Sequence, residues 1–339
     1  MSAPPFAPAA VRRAGWVAFA TACVHVVFGA IVRISGSGMG CADAWPKCRH
    51  PDGNTYWFPP FDHPQIVIEW THRLLATLLL VSIVGLVVTA WRHRGATRSS
   101  GAAAVLPAAL TALALGLGAA VLGAVTVFLE NPAWATAVHK VVAASLVAAL
   151  VAALVRAGGF GAARLAAQRA GGALATAKTA RGALVAAGLT LTTILMGAMT
   201  AKTPDAAIAC KGFPLCGEGS LGGGAQHVQL THRVLAYLLV LHLVGLAISV
   251  AKRREAPVLV HTARAALGIA VLQIVLAVGM LHTNFTVAAM GMALWITTFA
   301  LWYLARRAGE TDALDSAPMR GAPIRPAAQV GARLGGVAS

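Results

Sequence analysis

Eight stretches of this chain are apolar for long enough to cross a lipid bilayer, and nothing else in the sequence narrows its fold as far. They run at about 15–34, 66–91, 101–129, 135–155, 182–201, 228–250, 264–283 and 287–305. A membrane helix needs roughly 20 such residues. Apolar residues make up 58% of the chain and charged residues only 11%, where soluble domains carry roughly 25% charged. A segment in lipid must satisfy its own backbone hydrogen bonds, so spans of this composition are helices. The reading is an all-α integral membrane protein with eight transmembrane helices. A net charge of +16 would otherwise suggest nucleic acid, but its placement argues against that. The basic residues stand in short clusters between the apolar runs: Arg12/Arg13, Arg92-His93-Arg94, Arg156 through Arg181, Lys252-Arg253-Arg254 and Arg306/Arg307. Loops that stay in the cytoplasm carry this excess. Both termini and loops 92–100, 156–181 and 251–263 are therefore read as inside. Loops 35–65, 130–134, 202–227 and 284–286, with Asp43, Asp52, Asp62, Glu130, Asp205 and Glu218, are read as outside. Met1–Ala10 lacks the charged start and cleavage site of a secretory signal, so the first run is expected to remain as an anchor.

The chain repeats itself. Glu69-Trp70-Thr71-His72-Arg73 and the apolar run after it recur as Gln229-Leu230-Thr231-His232-Arg233, 160 residues later, and a cysteine pair precedes each copy. Both copies open an outside-to-inside helix, so the repeat is parallel. The expected organisation is two pseudo-symmetric four-helix bundles, 15–155 and 182–305. A cytoplasmic N-terminus 1–14 precedes them, a linker 156–181 joins them, and a tail 306–339, rich in Ala, Gly, Pro and Arg, is expected to be disordered.

Ionisable residues inside a bilayer are costly and mark function by default. His72 and His232 lie just inside the outer face, and His139 sits at similar depth in the fourth span. A lone membrane histidine is as often hydrogen-bonded between helices. Three at one depth, two of them in a repeated motif, favour ligation: neutral imidazoles from facing helices can hold a heme iron between them. His25 and His242 fall outside the pattern and read as packing. Glu69 shares a helix face with His72 and can handle protons beside a bound substrate, or it is an interfacial acid. The second copy has Gln229 there, which suggests one reactive site and one electron-handling site. Arg73 and Arg233 suit either heme propionates or snorkelling to headgroups.

Cys23 lies within the first span and reads as inert. Cys41 and Cys48 in GCADAWPKC, and Cys210 and Cys216 in CKGFPLC, lie in loops assigned outside, where disulfides persist. Their role is structural, or exchange with a thiol-disulfide partner; zinc is weaker, because no further local ligands complete a site.

Taken together, VRISGSGMGCADAWPKC (32–48), IEWTHRLLA (68–76), LGAVTV and NPAWATAVHK (122–140), CKGFPLC (210–216) and THRVLAYLL (231–239) resemble the heme A synthase family, from about 15 to 305. The resemblance implies an enzyme of the bacterial-type plasma membrane that oxidises the C8 methyl of heme O to a formyl group, by successive hydroxylations and loss of water. The product, heme A, serves the respiratory terminal oxidase. It further implies His72 and His139 as axial ligands of the substrate heme O, Glu69 as the catalytic carboxylate and Cys41–Cys48 as a loop disulfide, with Cys210 and Cys216 as the second pair found in some members. His232 becomes a ligand of a heme b cofactor, and heme O synthase the supplier of substrate; self-association is left open. One departure stands out: the family's second heme b histidine, early in the eighth span, is missing from NFTVAAMGMALW. Met290 lies nearest that place, with Met292 and His282 as alternatives; a thioether also ligates heme iron. Rival readings are a di-heme electron-transfer cytochrome b, and a heme transporter or chaperone.

Overall fold

The computed structural model describes residues 6–95, 105–168, 177–220, 222–278 and 284–316. Within them are nine α-helices: α1 (Ala9–Ile34), α2 (Pro64–Arg92), α3 (Val105–Phe128), α4 (Ala133–Arg156), α5 (Ala162–Gln168), α6 (Ala177–Lys202), α7 (Gly224–Lys252), α8 (Pro257–Val278) and α9 (Asn284–Ser316). Two two-residue strands, β1 (Cys48–Arg49) and β2 (Thr55–Tyr56), pair antiparallel in the first long loop. Seven of the described helices, all except α5 and α9, are long and apolar enough to cross a membrane.

Their boundaries follow local chemistry. Proline opens α2 at Pro64 and precedes α4 at Pro132, where its missing N–H costs nothing and its fixed φ suits a helix start. Between α3 and α4 the chain reverses through Glu130 and Asn131, both in the left-handed region. Large apolar side chains point outward from the helices: Val81, Val121, Leu241 and Leu272 are each at least half exposed. Water would not tolerate so continuous an apolar surface on a monomer; lipid does. The loop between α1 and α2 adds Trp57, Phe58 and Phe61, also exposed; aromatic residues of this kind favour the headgroup level.

In the first half α1 packs on α2 and α4, α2 on α3, and α3 on α4; in the second, α6 packs on α7 and α9, α7 on α8, and α8 on α9. The halves meet where α9 lies against α1 and α4, and where α4 touches α6. Two hydrogen bonds cross that seam: Trp295 on α9 donates its indole N–H to the Ala144 carbonyl on α4 at 3.0 Å, and Arg156 donates to the Tyr303 hydroxyl.

Two features differ from the sequence expectation. The last helix runs on to Ser316, past the start of the expected disordered tail, because ARRAGETDALDS is built largely of helix-favouring Ala, Arg, Glu and Leu. Residues 317–339 lie outside the description. The linker 156–181 also contains the short helix α5, and Phe160 just before it packs against Trp16 and Phe19 of α1.

Candidate functional site: histidines beneath two disulfide-closed lids

Four histidines share one depth. His72 and His232 each lie eight residues into their helices, about 12 Å at 1.5 Å per residue. His139 is two turns into α4, and His25 is nine residues before the end of α1. His25 stacks on His72 with ring centroids 4.3 Å apart and planes 10° from parallel. His139 lies close enough to both for their charges to interact. The structure therefore brings His72 and His139 to one locality and adds His25, which sequence reasoning had set aside as packing. In the second half the residue in register with His25 is Thr193, whose hydroxyl bonds back to the Leu189 carbonyl of its own helix.

Each ligand candidate lies against a glycine. A Cβ at Gly29 would stand 3.2 Å from the His72 ring, one at Gly123 3.7 Å from His139, and one at Gly197 3.0 Å from His232. Gly29 and Gly197 occupy matching places in α1 and α6, so the repeat extends to the floor beneath each ring. The Nδ1 atoms of His25, His72, His139 and His232 are buried without a hydrogen-bond partner. Buried polar atoms are rarely left so. Four at one level mark a place built to receive something, and neutral imidazole is a ligand for iron and other transition metals.

Above each half lies a loop closed by a disulfide, Cys41–Cys48 and Cys210–Cys216; Cys23 is the free thiol. The arginine of each repeated motif holds its loop down. Arg73 donates to the carbonyls of Ala44 at 2.8 Å and Lys47 at 2.9 Å. Arg233 donates to those of Gly212 at 2.7 Å and Cys210 at 3.0 Å. These loops are lids, and the two arginines are their latches.

The first lid is also tied to Glu69, which is 4% exposed. One carboxylate oxygen accepts the Cys41 amide at 2.8 Å, and the other pairs with Arg73 at 2.5 Å. Gly40 explains the glycine-rich motif: its Cβ would stand 2.3 Å from the Gln65 carbonyl oxygen, so a side chain there would hold the lid off α2. Gly36, at φ +66°, makes the turn out of α1. Asn131 donates its side-chain amide to the Gly38 carbonyl at 3.0 Å, which gives the NPAW segment its place. In the second half Gln229 replaces Glu69, and its side-chain oxygen is buried and unpaired.

Sequence reasoning also passed over a set of cations. Lys140, next to His139, lies within charge-interaction range of Arg33 and Lys202 at the C-terminal ends of α1 and α6. Among the described residues no carboxylate pairs with any of the three. The signal was present, a lysine inside an apolar run, but it was hidden by the histidine beside it. Met290 is half-buried, and Met292 packs against the main apolar core. His282 lies outside the described residues.

The first lid carries a further polar network. His50 is held above the ordinary histidine pKa, chiefly by its hydrogen bond to Asp62, whose own pKa is lowered. Asp52 is pulled down to about 2, first by the Tyr56 hydroxyl and then by the Asn54 amide.

Fold and site define a multi-pass membrane protein with half-buried histidines near disulfide-closed loops. Residues 12–306 match the COX15-CtaA model, described as cytochrome oxidase assembly protein, and the chain belongs to that family. Among curated proteins it is similar to the heme A synthase of Geobacillus thermodenitrificans, 35% identical over 113 residues, covering 32% of this chain and 34% of that protein. The heme A synthase of Geobacillus kaustophilus (strain HTA426) is 34% identical over 112 residues, covering 32% and 34%. That of Staphylococcus aureus (strain JH9) is 30% identical over 111 residues, covering 33% of each chain. These matches span about a third of the length of the curated relatives.

Proposed function

We propose that this chain is a heme A synthase: it takes heme O from the bilayer and oxidises the C8 methyl of the porphyrin to a formyl group. The observation that carries the reading is the convergence of His25, His72 and His139 beneath a lid whose amide is bound by Glu69. The architecture proposed with it is eight spans in two four-helix bundles, with α9 as the eighth, both termini in the cytoplasm and both lids outside; the seven apolar helices support it. That sidedness puts the disulfides where they persist.

In this reading His72 and His139 hold the iron of the substrate from its two faces, and Gly29 and Gly123 leave room for the rings to turn onto it. Arg73 and Arg233 stand beside the histidines as propionate partners, and Lys140 with Arg33 and Lys202 adds positive charge for the same groups. Glu69 takes or returns the proton at the reacting carbon, and Arg73 and the Cys41 amide hold it in place. The lid excludes water above it. His232, with Gly197 beneath it, holds heme b, and Met290 is its second ligand, ahead of His282 and Met292. Heme b, once bound, supplies an electron route to the first site. Gln229 in place of Glu69 leaves the second half without an acid–base group, as suits a site that only passes electrons. The substrate comes from a heme O synthase, and a thiol-disulfide partner sets the state of the lids.

The test is to produce the chain in cells that make heme O and to separate the extracted hemes by chromatography. Heme A and its hydroxylated precursor are expected. Folded protein that yields neither overturns the assignment, and tightly held b hemes alone would identify an electron carrier. Glu69→Ala should retain bound heme and lose at least 100-fold in product. Met290→Leu should shift the reduced-minus-oxidised spectrum of the second heme; an unchanged spectrum would remove Met290 as a ligand.

A further inference from the structure

The two lids are not equal. From the disulfide's second cysteine to the repeated histidine there are eight more residues in the first half, Cys48 to His72, than in the second, Cys216 to His232. The surplus falls in the hairpin of β1 and β2 and the turn into α2. The heme reading gives this segment no task.

We propose that His50, Asp62 and His63 of this hairpin form a binding site for a divalent late transition-metal ion, zinc(II) or copper(II), on the outer face. Their ligand atoms lie within 4.8 Å of one another. His50 Nε2 is 3.0 and 3.2 Å from the two Asp62 oxygens, and the rings of His50 and His63 have centroids 5.2 Å apart. His50 is the fixed member, only 9% exposed. Behind it Nδ1 accepts the main-chain N–H of Asp52 at 3.4 Å, with an Asp52 carboxylate oxygen at the same distance. Asp52 is itself held by the Tyr56 hydroxyl at 2.6 Å and the Asn54 amide at 2.8 Å. These contacts fix the ring from behind and leave Nε2 as the nitrogen turned toward Asp62 and His63. Metal–ligand bonds of about 2.0–2.1 Å require the three atoms to draw in by roughly 1 Å. Asp62 and His63 can make that movement, because both are exposed. Two imidazoles and one carboxylate favour zinc or copper over magnesium or calcium, and three protein ligands leave a position for water or an outside donor. His63 is the residue from which α2 starts, so a bound ion would fasten the hairpin to the helix that carries Glu69 and His72. The proposal does not depend on the heme assignment.

The experiment uses the full, untagged chain in detergent, stripped with chelator and titrated calorimetrically with zinc chloride. Copper(II) chloride is followed by electron paramagnetic resonance. One ion per chain is expected, with nitrogen couplings from two imidazoles on copper. His63→Ala, an exposed change that leaves His50 and its network in place, should weaken zinc binding at least tenfold and remove one nitrogen coupling. His72→Ala should leave this affinity unchanged. Absence of binding overturns the site, as does unchanged binding in both His63→Ala and Asp62→Asn, which would mark an adventitious ion only.

Discussion

Glu69 and Gly40 show how single residues seat the first lid. The carboxylate accepts the Cys41 amide, and the glycine permits the approach that puts that amide within reach. Gly40→Ala would set a methyl group 2.3 Å from a main-chain oxygen that cannot rotate away. A cost of about 3 kcal/mol is expected from overpacking against backbone. It should be read as a lowered unfolding midpoint in detergent together with faster amide exchange at Cys41. His72, His139, His232 and Glu69 were legible in the sequence because each breaks an apolar run at a repeated depth. His25 breaks one too, but has no partner in the second copy, where Thr193 stands. The latching role of Arg73 and Arg233 was not legible, because their partners are carbonyls, which every residue carries alike.

At the scale of the element, the lids were foreseeable as cysteine loops but the hairpin was not. Its strands are two residues long and leave no alternating pattern to read. What orders it is polar, and so depends on pH. The His50–Asp62 pair contributes while His50 is charged and Asp62 ionised. Because the histidine pKa is raised by Asp62, its contribution is full below the ordinary histidine value and disappears as pH climbs through the raised one. Because the Asp62 pKa is lowered, that group's contribution is present above the ordinary carboxylate value and is lost as pH falls through the lowered one. Metal-free protein should thus show slowest exchange in residues 49–63 between those limits. Hydrogen exchange across a pH series, corrected for intrinsic rates, checks this; a flat profile would mean that the pair does not order the loop.

For the molecule as a whole, seven of the eight expected spans were readable, because apolar length survives without any contact information. The seam between halves was not. It is made by α9 against α1 and α4 through a few donors, none with a sequence signature. Trp295→Phe keeps the ring and removes the N–H that bonds Ala144. A loss of about 1 kcal/mol is expected, measured as a lower thermal midpoint, with the lids unaffected.

One chain of contacts crosses that seam at the outer surface. Lys202, at the end of α6, donates to the Asn131 carbonyl at 3.2 Å, and the side chain of Asn131 donates in turn to Gly38 in the first lid. The far half thus has a hand on the near half's cover. A displacement at the end of α6 would therefore reach the loop beside Gly40 and Cys41 through only two hydrogen bonds.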